Sequence, residues 1–184
     1  MRCALIIPAW APQDIFPART AAAQINYWQP LGTLYVAACL LKAGHEVKFL
    51  NGAFLAHAEI LRQVGEFQPH VAGIYSTTFG WPKALKTAAD LKRRDPHLFI
   101  CVGGPYPIAA PERCLLDAGE NIDAVVTGEG EQTLVELLAR LESGRGLAGV
   151  AGVVIRHGVE IVQNPPRPLI ENLEAQPIPA RELL

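Results

Sequence analysis

Little in this sequence is charged. Only 18% of its 184 residues are Asp, Glu, Lys or Arg, and the formal net charge is −2. Nucleic acid and anionic membranes are bound through an excess of basic side chains, so neither is an expected partner. Apolar runs are short, and none reaches the roughly 20 residues that a bilayer-spanning helix requires. The first strand-like run starts almost at Met1, which leaves no room for a signal peptide, so the cytoplasm is the expected compartment. Cysteine is sparse as well. Cys3, Cys39, Cys101 and Cys114 are scattered with no CxxC or CxxxCxxC spacing, which excludes a zinc site or iron–sulfur cluster built from one chain segment. They are expected as buried thiols that pack as small hydrophobes. No GxGxxG follows a strand-like run, so the usual dinucleotide turn is missing. There is no Ser/Thr-rich phosphate loop and no carboxylate pair after the first run, which argues against a mononucleotide loop and a phospho-accepting receiver.

What is abundant is apolar: 50% of the chain is hydrophobic, enough for a sizeable core. Strand-like runs at 3–8 (CALIIP), 47–50, 71–75, 98–102 and 122–127 alternate with helix-period segments. Leu31, Leu34, Tyr35, Ala38 and Leu41 mark the first helical face, with Gly44 at its end. Ile60, Leu61, Val64 and Phe67 mark the second. Trp81, Ala84, Leu85, Ala88 and Leu91 mark the third, with Pro82 in its first turn. A short helix is expected from Pro111 to Gly119, and Leu134, Leu137, Leu138 and Leu141 stripe the last. Nearly continuous apolar strands predict a parallel sheet covered on both faces. Right-handed crossovers then give an α/β, doubly wound, five-stranded parallel sheet, flavodoxin-like (Rossmann-like), of order 2-1-3-4-5. GVVIR and VEIVQ around His157-Gly158 read as a C-terminal β-hairpin. The last twenty residues hold five of the fifteen prolines and read as an extended linker, mobile or packed on a neighbour.

In such sheets ligands bind beyond the carboxyl ends of the strands, where the strand order reverses. The loop from Pro8 to Gly32 is long, with Trp10, Tyr27, Trp28 and four prolines, and loops of this length are often functional. Ser76-Thr77-Thr78 supplies three hydroxyls where capping the next helix needs one. Gly103-Gly104, followed by Pro105 and Pro107, ends a buried strand on residues without side chains, which admits a ligand close to the backbone. Thr127-Gly128-Glu129-Gly130-Glu131 adds two more glycines at the same edge, although an acid in a helix's first turn is favoured by the helix dipole alone. Three adjacent loops of low bulk leave a broad, shallow cleft suited to a large, flat, mostly neutral ligand.

Ser76-Thr77-Thr78, Gly103-Gly104 with Pro107 and Pro111-Glu112, and Thr127 to Glu131, in that order, resemble the N-terminal cobalamin-binding domain of cobalamin-dependent radical SAM enzymes. The group of the anaerobic magnesium-protoporphyrin IX monomethyl ester cyclase is the nearest in style. Pro30-Leu31-Gly32, Lys42-Ala43-Gly44-His45 and the tail Pro177-Ile178-Pro179-Ala180-Arg181 fit the same pattern. The resemblance implies cobalamin (vitamin B12) as cofactor, held by Trp10, Leu31, Gly32, Ser76, Thr77, Thr78, Gly103, Gly104, Pro105, Gly128, Glu129 and Gly130. It implies a nucleotide tail running down beside Ser76, Thr78, Gly103 and Gly104. By its position alone, the long first loop with Trp10, Tyr27 and Trp28 is the candidate to cover the lower corrin face. Many cobalamin domains carry DxHxxG after the first strand, and its histidine ligates cobalt. This loop has Asp14 but no histidine, and His45, His57, His70, His97 and His157 are expected to be solvated or packing residues. A base-off cofactor without a protein histidine ligand follows.

S-adenosylmethionine and a [4Fe-4S] cluster are expected only in a C-terminal radical SAM domain that this chain lacks, so the chain alone should not cleave S-adenosylmethionine. Methyl transfer and porphyrin-type cyclisation are the reactions the resemblance implies for a full enzyme. The expected division is 1–150 for the cobalamin domain, 151–163 for the hairpin appendage and 164–184 for a linker toward the radical SAM domain. Two other readings stay open: a nucleotide or nucleotide-sugar binding α/β domain, for which Arg19 and Lys83 are the nearby cations, and a ligand-free docking module.

Overall fold

A computed structural model describes residues 1–14, 16–21 and 29–184, and Tyr27 and Trp28 lie outside the described residues. Seven strands build one sheet: β1 (Arg2–Ile7), β2 (Glu46–Asn51), β3 (Val71–Tyr75), β4 (Phe99–Gly103), β5 (Ala124–Val126), β6 (Val153–His157) and β7 (Glu160–Gln163). Their order is β2-β1-β3-β4-β5-β6-β7. The first five pair in parallel, in the expected order 2-1-3-4-5. The β6–β7 hairpin is no separate appendage. β6 pairs antiparallel with β5, Val125 opposite Val154, and extends the five-stranded sheet to seven. The short β5 would otherwise be an exposed edge, and unpaired edge backbone invites aggregation.

The helices are α1 (Ala18–Ala21), α2 (Leu31–Lys42), α3 (His57–Phe67), α4 (Trp81–Arg94), α5 (Pro105–Ala109), α6 (Pro111–Ala118) and α7 (Gly130–Glu142). Alternate residues of each strand feed two cores. Ala4, Ile6, Ala72, Ile74, Ile100 and Val102 pack under α3, α4 and α6. Cys3, Leu5, Val71, Cys101, Ala124 and Val126 pack under α2 and α7. Cys3, Cys101 and Cys114 are buried free thiols, and Cys39 is half-buried. Among the described residues no helix is long and apolar enough to cross a membrane.

One expectation for the helices changes. The buried face of α2 is Leu34, Ala37, Ala38 and Leu40, whereas Leu31 and Leu41 are exposed. Apolar residues surround this helix, so periodicity alone cannot say which side faces the sheet. The two prolines after Gly104 open a helix. Pro105 and Pro107 sit in the first turn of α5, where an amide has no intrahelical acceptor to lose.

The tail is not a free linker. Asn164 is buried, and its side-chain amide donates to the carbonyls of Leu147 (2.8 Å) and Val150 (3.0 Å) while its oxygen accepts from Gly149 N. Arg167 Nε donates to Thr133 Oγ1 (2.8 Å), and its guanidinium pairs with the Glu136 carboxylate on α7. Further on, Ile170 N donates to Glu129 Oε2 (2.6 Å) and Ala180 N to the Leu34 carbonyl (3.1 Å), with Ala180 buried. Residues 164–184 therefore lie as a strap on the α2–α7 face. Extended backbone without its own helical stripe looks like a linker in sequence, but scattered polar anchors hold it down. Arg167→Ala should weaken the strap by about 2 kcal/mol, the scale of a charged hydrogen bond. Hydrogen exchange should then quicken at Ile170 and Ala180 and stay unchanged in β1, β3 and β4. Equal rates in both proteins would show that Arg167 is not the anchor.

Candidate functional site

At the carboxyl edge of the sheet the chain borders two adjoining spaces. The outer one is a cup of about 540 Å³ between the end of β1, the loop that follows it and the turns after β3 and β4. Trp10, Leu31, Ser76, Thr77, Phe79 and Pro105 are among the residues that line it. The inner one is a slot of about 240 Å³ that descends between the sheet and helices α2 and α7. Its floor and walls are mostly apolar: Leu5, Val36, Gly73, Cys101, Val126 and Leu134, with Gly128, Glu129, Gly130 and Glu131 at one side. Gly32, Thr33 and Tyr75 line both spaces and so form the neck between them.

The slot exists because the strands carry little bulk on this face. Leu5, Gly73, Cys101 and Ala124 are neighbours in register across four strands, and Tyr75 and Gly103 are paired one row further toward the edge. At Gly103 a Cβ would find only ordinary contacts with Val126, 3.8 Å away, so the slot begins where its side chain would be. Its neighbour is glycine for another reason. Gly104 has φ +106°, and a Cβ there would stand 2.7 Å from the Ser76 carbonyl oxygen and 2.9 Å from the Tyr75 ring. Gly103 thus opens the slot, while Gly104 lets the chain turn against Tyr75.

Eleven of the twelve expected site residues line one of the two spaces. The exception is Thr78, which is exposed and whose carbonyl accepts from Trp81 N at 3.4 Å. The hydroxyls of Ser76 and Thr77 are engaged in their own turn. Ser76 Oγ donates to the Thr77 carbonyl (3.0 Å), and Thr77 Oγ1 accepts from Gly80 N (3.2 Å). Gly73, Tyr75, Thr33 and Val36 were not expected. The lone glycine inside the apolar strand VAGIY was the available signal for Gly73, since glycine weakens a strand unless something needs its space. A Cβ at Gly73 would meet Leu5 Cδ2 at 2.9 Å.

Basic charge is absent from the slot lining, whereas two carboxylates, Glu129 and Glu131, stand in it. Asp14 in the first loop accepts from Ala11 N (2.7 Å) and pairs with Lys83 Nζ (3.2 Å). The Ala11 amide, helped by Lys83, holds this carboxyl below its ordinary value. Lys83 therefore stands at the cup with an anion already beside it. Burial raises the Glu131 carboxyl in the slot wall, and the Glu129 charge adds to the effect. Burial also raises the Tyr75 phenol. No histidine lines the cup or the slot. His57 is instead bonded to Asp90 (2.7 Å), and His70 Nδ1 to Arg2 N (3.0 Å). Among the described residues no three His, Cys, Asp or Glu side chains are grouped to hold a metal ion. Among the described residues the two spaces have no paired nucleophile and base in their linings.

The family model of the B12 binding domain matches residues 21–138. The chain belongs to that family. It is 36% identical over 157 residues to the "Uncharacterized methyltransferase PH0819" of Pyrococcus horikoshii, covering 84% of this chain and 34% of that protein. It is 34% identical over 149 residues to the anaerobic magnesium-protoporphyrin IX monomethyl ester cyclase of a Synechocystis strain, covering 79% of this chain and 30% of that protein. The B12-binding chain thus spans about a third of the length of these curated relatives. Its fold is also that of the cobalamin-dependent S-adenosylmethionine radical enzyme OxsB, whose structure holds aqua-cobalamin and S-adenosylmethionine. The two superpose with a TM-score of 0.79 at 18% identity, over 99% of this chain and 24% of that one.

The two adjacent glycines of this B12-binding domain should respond differently to the same change. Gly103→Ala should alter stability by less than about 1 kcal/mol, because the added methyl meets open space. Gly104→Ala should cost at least about 2 kcal/mol, from positive φ and a backbone overlap. Thermal melts of the two variants check this, and equal losses would refute the division of labour.

Proposed function

We propose that this chain is the cobalamin-holding part of a cobalamin-dependent radical SAM enzyme. One observation carries the reading: a larger cup that adjoins a smaller, mostly apolar slot. Cobalamin has the complementary shape, a broad corrin bearing a flat benzimidazole nucleotide on a flexible tail. The corrin fits the cup beside Trp10, Leu31, Gly32, Ser76, Thr77 and Pro105. The nucleotide fits the slot beside Gly103, Gly104, Gly128, Glu129 and Gly130. Side-chain bulk tests the fit: a Cβ at Gly32 or Gly128 would meet no atom within 4 Å, and one at Gly103 would meet only Val126. These glycines leave space that none of the described residues fills. Thr78 stands outside both spaces and is left as a residue of the surrounding turn.

The cofactor is held base-off without a protein histidine on cobalt, a reading supported by the absence of histidine from the residues that line the cup. Cobalamin supplies one-carbon transfer and radical chemistry when bound, and the protein's part is to bind and orient it. The relatives' greater length supports a radical SAM domain elsewhere in the whole protein, carrying S-adenosylmethionine and a [4Fe-4S] cluster. Methyl transfer or porphyrin-type ring closure is the activity proposed for that whole protein. The proposed division is 1–150 for cofactor binding, 151–163 for the hairpin and 164–184 for the strap leading onward. The four free thiols suit a reducing cytoplasm. The nucleotide-sugar reading gains no support, because no Lys or Arg lines the slot and Lys83 in the cup is paired with Asp14.

Incubation with hydroxocobalamin followed by desalting should leave a coloured, stoichiometric complex with a base-off visible spectrum. After reduction to Co(II), the paramagnetic resonance spectrum should lack splitting from a coordinated nitrogen. A colourless protein would overturn the whole reading, and nitrogen splitting would overturn the ligand-free lower face.

A further inference from the structure

Resting on that reading, we infer that Tyr75 recognises the phosphodiester of the cobalamin tail, so that this domain distinguishes the complete cofactor from its nucleotide-free precursors. The inference begins with position. Tyr75 is the last residue of β3, and with Gly32 and Thr33 it forms the neck shared by cup and slot. A ligand with its ring system in the cup and its base in the slot must pass its connecting chain through this neck. In cobalamin that connection is a phosphodiester, the one fixed negative charge of the tail.

An anion in a half-buried passage needs donors. No Lys or Arg lines the slot, and Lys83 at the far side of the cup is occupied by Asp14. The neck offers two hydroxyls, those of Tyr75 and Thr33, and neither has a hydrogen-bond partner among the described residues. By contrast, Ser76 and Thr77 next to it spend their hydroxyls within the turn. Neither oxygen is sealed from solvent, so each hydroxyl is available to turn to a ligand. Burial raises the phenol above its ordinary value, so Tyr75 stays a neutral O–H donor across physiological pH.

Gly104 supports the assignment independently. A Cβ at that position would lie 2.9 Å from two carbons of the Tyr75 ring, Cδ2 and Cε2. The second glycine of the pair therefore clears room for this ring and fixes where its hydroxyl can stand. The pair has two duties toward one ligand: Gly103 admits the base, and Gly104 seats the residue that holds the linkage above it.

The test compares three probes by equilibrium titration on wild type and Tyr75→Phe: cobalamin, cobinamide phosphate (phosphate but no nucleoside) and cobinamide (neither). Tyr75→Phe should weaken cobalamin and cobinamide phosphate about tenfold each, the scale of one hydrogen bond to a charged group. Cobinamide should change less than about twofold, and the melting temperature should hold. Equal loss for all three probes would make Tyr75 a wall of the neck and overturn the inference. Unchanged binding of cobinamide phosphate, or of all three, would overturn it too. Thr33→Val is the second variant and should give the same pattern from the opposite side of the neck. Failure of the wild type to bind any probe would instead sink the cofactor reading itself.

Discussion

A parallel sheet packed by helices normally has no room between its layers, because strand side chains fill the space to crystal density. Everything at this site depends on the exception to that rule. On the α2–α7 face, β3 and β4 present Gly73, Cys101 and Gly103, where bulky β-branched residues would otherwise close the gap. The missing volume is not scattered; it lies along neighbouring strands and opens at the edge where the strand order reverses. A wide cup above and a narrow slot below follow from that row of small residues.

The surrounding elements keep the space from collapsing. Helices α2 and α7 pack through Leu34, Ala37, Leu137 and Leu138, so the slot is held open at its mouth and shut at its base. The strap adds a constraint from outside, because Ile170 bonds to Glu129 at the slot's rim and Arg167 ties Thr133 and Glu136 on α7. Asp14 and Lys83 tie the first loop to α4 across the cup. Because the ionic contacts stand at the periphery, the interior suits a ligand that is mainly apolar and carries little charge.

Most of the fold was legible from period and punctuation. The five parallel strands, their order and the helices after β2, β3 and β5 follow from apolar runs separated by Gly and Pro. The hairpin was legible as a hairpin but not as sheet, since β6 pairing depends on an edge far away in sequence. The face of α2 was hidden by a helix apolar on all sides, and the strap by anchors such as Asn164 and Arg167 that leave no periodic trace. At the site, the glycine turns marked the edge where the two spaces lie. The neck was missed because Tyr75 reads as an ordinary end of a buried strand. Only its pairing with Gly103 and its closeness to Gly104 reveal what it faces. Thr78 lies outside both spaces: hydroxyls in a run look equivalent in sequence, but the turn exposes the third.

The central claim is that absent side-chain volume at Gly103 makes the space the cofactor's nucleotide occupies. Gly103→Val tests it most directly, since valine suits a strand and its first carbon meets no close atom, while its methyl groups enter the slot. Titration with cobalamin should show at least about a hundredfold loss of affinity, the scale of overpacking a filled cavity, with the melting temperature little changed. A folded Gly103→Val protein that binds cobalamin as tightly as the wild type would contradict the account.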